Sequence, residues 1–237
     1  MTTNPLFVAL DTMDLSRARA WARDLRDLAG GIKLGLEFFV AHGPEGVRAV
    51  RDTGSPPLFL DLKFHDIPNT VAGAVRAAVR LEPWVLTVHA PGGRAMMEAA
   101  GDAAAEEADR LNLPRPKVIA VTVLTSLDDR DLKTTGINDA PADQVRRLAA
   151  LAMEADLDGL VCSPREVAVL RADLGPKPML VTPGVRPSWA VAGDQKRVMT
   201  PDQALAAGAS HLVIGRPITG APDVAVAARH VLEDLQD

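Results

Sequence analysis

Short apolar runs alternate with amphipathic stretches along the chain. The runs are about four to seven residues long, and apolar residues at helical spacing follow them. Runs of this length are typical of buried strands, and strands separated by helices favour parallel pairing. The predicted strands cover residues 6–10, 31–35, 57–60, 84–89, 116–122, 159–162, 178–181 and 211–215.

A helix is predicted after each of these strands. Asp14 or Ser16 caps the first helix, which is expected to run to about residue 28, and Pro68 fits the first turn of the third. Later helices are expected to end near residues 53, 81, 111, 155 and 207, with another opening at residues 163–164. We also expect a polar loop over residues 126–141, a Gly/Pro-rich loop over residues 183–199, and one last helix from the eighth strand to the C-terminus.

Eight strand-and-helix units in 237 residues, with no break in composition between them, match a closed barrel. We therefore predict an α/β protein with a single (β/α)8 TIM barrel domain over residues 1–237. An open doubly wound sheet is the alternative. That fold expects a Gly-rich fingerprint after the first strand, and the segment Leu10-Asp11-Thr12-Met13 contains no glycine.

Composition and charge limit the classes of protein to which this chain can belong. The net charge of −5 and the lack of a Lys/Arg run argue against a nucleic-acid partner. The single cysteine, Cys162, excludes an internal disulfide, fits a reducing compartment, and is expected to be buried because it lies in an apolar strand. No apolar run approaches the roughly 18 residues of a membrane span, and the N-terminus has no charged signal region. These features predict a cytoplasmic protein.

Polar side chains fall at or just beyond the ends of the predicted strands, where barrels of this kind carry their chemistry. Because successive residues of a strand face opposite sides, Asp61 and Lys63 share one face with Phe59, and three leucines share the other. The more apolar face should meet the outer helices, so the charges should point into the mouth of the barrel. Lys33 and Lys63 then need carboxylates, and Asp61 and Asp66 are available. A purely structural network of ion pairs is the alternative. The strand-end residues are Asp11, Lys33, Asp61, Lys63, His89 and Thr125.

A second polar group follows the eighth strand. Gly215 and Arg216 open a predicted helix, so their backbone N–H groups would face an anion, and the Arg216 guanidinium adds a fork of donors. Loop seven adds Arg186 and the segment 193–197. Because loops seven and eight of such barrels often bind phosphate, we expect a phosphate site; solvated arginines beside a Gly-capped turn are the alternative.

The five histidines are not spaced for metal binding, and no Cys/His cluster accompanies them, so no metal site is predicted. His65 and His89 lie near the predicted mouth and are candidates for contact with a ligand. His211 and His230 are expected to be structural or exposed.

These residues resemble those of the orotidine 5'-phosphate decarboxylase family, in its short bacterial form. The segment Asp61-Leu62-Lys63-Phe64-His65-Asp66-Ile67-Pro68-Asn69-Thr70 is similar to the family signature. The likeness extends in order through all eight strand-and-helix units. One residue departs from it: loop seven has the bulky Trp189 where a smaller or polar residue would be expected. The likeness also takes in Asp11, Lys33 and the segments 88–90, 121–126, 182–187, 193–197 and 214–216.

The resemblance implies conversion of orotidine 5'-monophosphate (OMP) to UMP and CO2, the last step of de novo UMP synthesis. It implies a homodimer that needs no metal and no organic cofactor. Lys63 would protonate C6 after CO2 leaves, in a charged network with Lys33, Asp61 and the partner's Asp66. Substrate contacts implied in the same way are Asp11, Lys33, Asp66 and Thr70 at the ribose, with Thr70 also from across the interface, Thr125 and Gln195 at the pyrimidine, and Arg186, Gln195, Gly215 and Arg216 at the phosphate.

Two other functions stay open. Barrel enzymes acting on sugar phosphates, such as keto-gulonate phosphate decarboxylases and hexulose phosphate synthases, share an Asp-x-Lys-x-x-Asp motif but use Mg²⁺. They bind it through a carboxylate on strand two, where this chain has Lys33. A non-catalytic protein that binds nucleotide phosphates is the other, because a fold alone does not specify a function.

Overall fold

The computed structural model describes residues 4–190 and 199–235. Eight parallel strands form a closed barrel in chain order, and β8 pairs with β1, with Leu212 opposite Leu6. The predicted (β/α)8 barrel is therefore confirmed, and the open sheet is wrong. The strands are β1 (Leu6–Ala9), β2 (Gly31–Gly35), β3 (Leu58–Phe64), β4 (Val85–His89), β5 (Lys117–Val121), β6 (Gly159–Val161), β7 (Met179–Pro183) and β8 (His211–Ile214).

Helices surround the barrel and connect its strands. The Asp14 carboxylate caps the first helix by accepting a hydrogen bond from the Arg17 N–H at 3.0 Å, and Pro68 opens the third, as predicted. No helix in the described ranges is long and apolar enough to cross a membrane. The α-helices are α1 (Leu15–Asp24), α2 (Leu36–Arg51), α3 (Pro68–Val79), α4 (Arg94–Leu111), α5 (Asp129–Thr134), α6 (Pro141–Glu154), α7 (Val167–Leu174), α8 (Pro201–Ala206), α9 (Arg216–Thr219) and α10 (Val224–Asp234).

The prediction of an uninterrupted loop over residues 126–141 was wrong, because this segment contains α5. The Asp128 carboxylate caps α5 by accepting hydrogen bonds from the N–H groups of Arg130 and Asp131. The Asp131 carboxylate accepts from the Asp128 N–H in return, which completes a capping box. Leu132 is the buried residue of this short helix, so the sequence offered almost no apolar period to detect.

Other predicted elements also differ from the structure in their extent. The first helix ends at Asp24 rather than near residue 28, and β3 continues past residue 60 to Phe64. The last helix is divided into α9 and α10. Pro222 lies in the break, where it cannot supply a helical N–H, and the Asp223 carboxylate caps the new helix by accepting from the N–H groups of its first turn.

Apolar side chains fill two layers, one inside the barrel and one between the strands and the helices. Phe59 lies in the inner layer, whereas Leu58, Leu60 and Leu62 lie in the outer one, as the alternation along β3 predicted. Cys162 is buried, also as predicted, and its burial raises the pKa of the thiol to about 12. The inner layer consists of Phe7, Ala9, Phe59, Val85, Ile119, Met179, Val181 and Val213.

Candidate active site

Four side chains of alternating charge form a row at the carboxyl ends of β1, β2 and β3. Lys63 Nζ lies 2.7 Å from Asp61 Oδ2, and Lys33 Nζ lies 3.6 Å from the same oxygen. Asp11, two residues past β1, accepts a hydrogen bond from Lys33 Nζ at 3.1 Å. We call Asp11, Lys33, Asp61 and Lys63 the charged row.

Parallel pairing and strand alternation produce this arrangement. In the register of β2 and β3, Lys33 lies opposite Phe59 and Gly35 lies opposite Asp61, so the charged side chains share the inner face. A Cβ atom on Gly35 would come within 2.9 Å of Lys33 Nζ. The absence of a side chain at position 35 therefore leaves room for the ammonium group.

Lys63 has an unusual backbone conformation. Its φ angle is +51°, in the left-handed region that non-glycine residues rarely adopt, and the pairing of β3 with β4 is irregular between residues 60 and 64. The Lys63 N–H donates to the Thr87 hydroxyl at 2.9 Å, which holds this backbone in place. A left-handed residue in a charged pocket is the kind of local strain that functional sites retain.

Thr87 on β4 is a site residue that our sequence analysis missed. Its fully buried hydroxyl donates to Asp61 Oδ1 at 3.0 Å while accepting the Lys63 N–H. The sequence contained a signal, because Thr87 lies two residues before His89 and so faces the same side of β4. His89 was already predicted to lie near the mouth.

The electrostatic state of Asp61 follows from its neighbours. Its burial by itself raises the pKa of the carboxyl group. The ammonium groups of Lys33 and Lys63, with hydrogen bonds from Lys63 and Thr87, oppose that effect and lower the pKa of Asp61 below its usual value. A negative charge is thus held between two cations, on a residue that is only 7% exposed.

Two adjoining cavities open beside the charged row. The first, of about 190 Å³, has mainly apolar walls, with Lys33, Asp61 and Lys63 on one side and Thr125 on another. The second, of about 200 Å³, also contacts Lys33. Together they offer an apolar space beside Lys63 and a more polar space beyond it.

The second cavity collects positively charged and glycine residues from the ends of β7 and β8. Arg186 follows β7 and is 9% exposed, and Gly215 and Arg216 form the start of α9. All three residues line this cavity, as does Asp11. Two guanidinium groups beside a glycine backbone form a favourable site for a phosphate group.

The remaining predicted residues have different positions. Asp66 is exposed in the β3–α3 connection and Thr70 is exposed in the first turn of α3, and neither borders the two cavities within the described ranges. The Asp66 carboxylate accepts a hydrogen bond from the Ile67 N–H at 2.6 Å. Gln195, with its segment 193–197, lies outside the described residues.

His65 and His89 meet at the mouth, as their positions after β3 and at the end of β4 suggested. Their ring centroids are 5.5 Å apart. Burial lowers the pKa of His89, and the charges of His65 and Lys63 lower it further. His89 therefore favours the neutral form beside the charged row.

A larger cavity lies elsewhere in the described part of the chain. Its volume is about 1070 Å³, and it is bordered by α4, α6 and the amino ends of β5 to β7. Asp158 in its wall is already paired with Arg115 at 2.8 Å and faces Lys117 at 3.7 Å. The cavities at the carboxyl ends of the strands remain the better candidate, because the charged row converges there.

Comparison with known proteins gives a consistent result. Residues 4–231 match the family model described as orotidine 5'-phosphate decarboxylase / HUMPS. An orotidine 5'-phosphate decarboxylase from Rhodospirillum rubrum is 61% identical over 235 residues, which cover 99% of this chain and 95% of that protein. Another from Moorella thermoacetica is 54% identical over 232 residues, covering 98% of this chain and 92% of that protein.

A solved structure agrees in fold as well as in sequence. The crystal structure of orotidine 5'-phosphate decarboxylase from Lactobacillus acidophilus matches this one with a TM-score of 0.84 and 34% identity. The match covers 99% of this chain and all of the other. This chain therefore belongs to the orotidine 5'-phosphate decarboxylase / HUMPS family.

Proposed function

We propose that this chain is an orotidine 5'-phosphate decarboxylase that converts OMP to UMP and CO2 without a metal or an organic cofactor. The reaction is the last step of de novo UMP synthesis. The observation that carries the proposal is the charged row, which ends in Lys63 beside an apolar cavity. The high identity to decarboxylases over nearly the whole chain supports it. The single buried cysteine is compatible with a reducing cytoplasm.

The reaction asks for electrostatic stabilisation of a negative charge. When the C6–CO2 bond breaks, its electron pair stays on C6 in the plane of the ring, where the ring cannot delocalise it. A positive group held beside C6 stabilises that carbanion. The Lys63 ammonium would supply this charge and then donate its proton to C6, becoming a neutral amine that solvent reprotonates.

Asp61 has two roles in this proposal. Its 2.7 Å contact with Lys63 Nζ orients the ammonium group, and its hydrogen bond from Thr87 orients the carboxylate. Its negative charge would also repel the carboxylate of bound OMP. That repulsion is relieved as neutral CO2 forms, which favours the transition state over the bound substrate.

Each of the two cavities suits a different part of the substrate. The apolar cavity would hold the pyrimidine, with Thr125 at its edge, and Asp11 and Lys33 between the cavities would hold the ribose hydroxyls. Arg186, Gly215 and Arg216 would bind the phosphate, together with Gln195. Because the phosphate is remote from C6, its binding energy is available to organise the site around the pyrimidine.

We further propose a homodimer in which Asp66 and Thr70 complete the site of the partner. Exposed apolar side chains near the same rim support this proposal, since such patches mark protein interfaces. Both polar residues are exposed beside them, where a second copy could reach them. The apolar side chains are Met13 (69% exposed), Leu36 (54%), Val40 (82%) and Ile67 (65%).

The Mg²⁺-dependent sugar-phosphate chemistry of related barrels fits this site less well. Lys33 occupies the strand-two position where those enzymes place a metal-binding carboxylate. Its ammonium group lies between two carboxylates, 3.1 Å from Asp11 and 3.6 Å from Asp61. A cation there repels Mg²⁺ and takes up the acidic ligands that would attract it.

The decisive assay follows the ultraviolet absorbance of OMP in the presence of EDTA, with UMP and CO2 measured as products. The wild-type protein should turn over, and Lys63→Ala should lose at least about 10³-fold in kcat because both the charge and the proton donor are removed. Lys133→Ala is the matched control, since Lys133 is exposed on α5. Failure of the wild type on OMP, with turnover of a sugar phosphate only after Mg²⁺ is added, would contradict the proposal.

A further inference from the structure

Trp189 joins the loop after β7 to the C-terminal helix α10. Its indole ring is stacked on the imidazole of His230, with ring centroids 4.6 Å apart and planes inclined by 5°. The indole N–H donates a hydrogen bond to Asp234 Oδ2 at 2.9 Å. One face and the polar edge of the indole are therefore both held by α10.

Asp234 organises this contact. One of its oxygens accepts from Trp189, and the other lies 4.0 Å from His230 Nε2, one helical turn earlier on α10. The three side chains thus form one connected group, which we call the Trp189 clasp. An apolar cavity of about 300 Å³, bordered by Trp189, Pro222 and Val226, lies beside it.

Within the clasp, Trp189 lies three residues after Arg186, which lines the second cavity. At Arg186 itself, the backbone is held by the Arg186 N–H, which donates to the Met199 carbonyl at 3.0 Å, and by a bridge between Val185 and Met199. A turn closed by the Ala190 N–H and the Pro187 carbonyl at 3.0 Å leads into the clasp. Because Pro187 is buried and has a restricted φ, a displacement at Trp189 would be transmitted to Arg186 with little slack.

The same helix supports the other arginine of the cavity. α10 packs against α9, whose first residue is Arg216. Arg186 is thus attached to α10 through Trp189, and Arg216 through the packing of α9. The relative position of the two guanidinium groups depends on this shared support.

We propose that Trp189 is a positioning residue, and that the Trp189 clasp sets the placement of Arg186 relative to Arg216 for the phosphate of the substrate. This inference rests on the proposed function, since it assumes a phosphorylated ligand in the second cavity. It also assigns a role to Trp189, the residue at which loop seven departs from the expected family pattern.

The test compares a substrate that carries the phosphate with one that lacks it. Trp189→Ala should raise the KM for OMP by at least about tenfold, because a misplaced contact group loses much of its effect. The same variant should change kcat/KM for orotidine, which has no phosphate, by less than about twofold. Trp189→Phe keeps a ring to stack, and Asp234→Asn keeps an acceptor, so both should lie closer to the wild type than Trp189→Ala and Asp234→Ala.

Arg229→Ala is the matched control, because Arg229 is exposed on α10 next to His230. Circular dichroism and thermal melting of every variant separate a local effect from a loss of folding. An equal loss for OMP and orotidine in a folded Trp189→Ala protein, or an unchanged KM for OMP, would overturn the proposed role.

Calorimetric titration with UMP and with uridine keeps the two proposals separate. If the wild type does not decarboxylate OMP but binds UMP, and Trp189→Ala weakens UMP binding and leaves uridine binding unchanged, the clasp stands and the proposed function fails. If the wild type decarboxylates OMP and Trp189→Ala binds UMP as the wild type does, the clasp fails alone. A wild type that binds UMP no better than uridine overturns the role of the clasp, while the OMP assay alone decides the proposed function.

Discussion

His211, a buried histidine, is the first residue of β8, at the end of the barrel opposite to the charged row. His211 stacks on Phe7 at a centroid distance of 4.8 Å and meets the edge of Trp84 at 5.3 Å. Neither ring nitrogen of His211 has a hydrogen-bond partner in the described part of the chain. The predicted structural role of His211 is consistent with this packing. Burial, with a further contribution from the charge of Lys117, lowers the pKa of His211 to about 4.

This packing predicts a loss of stability in mild acid. As the pH falls below about 6.5, the unfolded chain protonates at position 211 while the folded chain does not until about pH 4. The stability from neutral His211 is therefore fully present above pH 6.5 and is lost as the pH falls toward 4. Between pH 7.5 and 4.5, the wild type should lose about 2 to 3 kcal/mol more unfolding free energy than His211→Phe, as measured by urea denaturation. Parallel losses in the two proteins would refute this prediction.

At the scale of elements, one carboxylate joins two helices. Glu107 on α4 is 4% exposed and accepts two hydrogen bonds from Arg110 at 2.7 and 2.8 Å, and one from Arg80, at the end of α3, at 3.0 Å. The hydrogen bonds from Arg110 and then Arg80 outweigh desolvation and lower the pKa of Glu107 to about 2. Glu107 thus connects α3 to α4 while remaining charged at neutral pH.

Glu107→Gln should lower the melting temperature at neutral pH, because the two guanidinium groups lose their common counter-charge. The stabilising effect of Glu107 is present above about pH 4.5 and is lost as the pH falls toward 2, so the two proteins should converge in acid. Glu106→Gln provides the matched control, since Glu106 pairs with Arg76 on the surface and its loss should change little. Thermal melts from pH 7 to pH 2.5 measure the effect. An equal shift in both variants would contradict the assigned role of Glu107.

At the scale of the whole molecule, the proposed sharing of Asp66 between two subunits can be tested directly, since Asp66 does not line either cavity of its own chain in the described ranges. If Asp66 acts in the partner's site, mixing Lys63→Ala with Asp66→Ala produces hybrid dimers in which one of the two sites is intact. Random exchange places half of the dimers in that form, so activity should recover to about a quarter of the wild-type value. Mass spectrometry of the mixed dimers checks that exchange occurred. No recovery after verified exchange would place the action of Asp66 within its own subunit.

Much of the fold could be predicted because its signals are local. The order of strands and helices, the cap at Asp14, the helix start at Pro68 and the inward face of β3 all follow from patterns within about ten residues. The helix α5 was missed because its stability comes from a capping box at Asp128 rather than from an apolar period. The break before α10 was missed because the helical pattern resumes on the far side of Pro222.

The sequence by itself determined which side chains enter the barrel, since alternation along a strand is a property of the backbone alone. It thereby placed Lys33, Asp61 and Lys63 at one mouth. Only the tertiary structure decided which atoms meet: the Thr87 hydroxyl on Asp61, and the indole of Trp189 on α10. These contacts join residues separated by 26 and 45 positions, and their distances depend on how the closed barrel brings separate elements together.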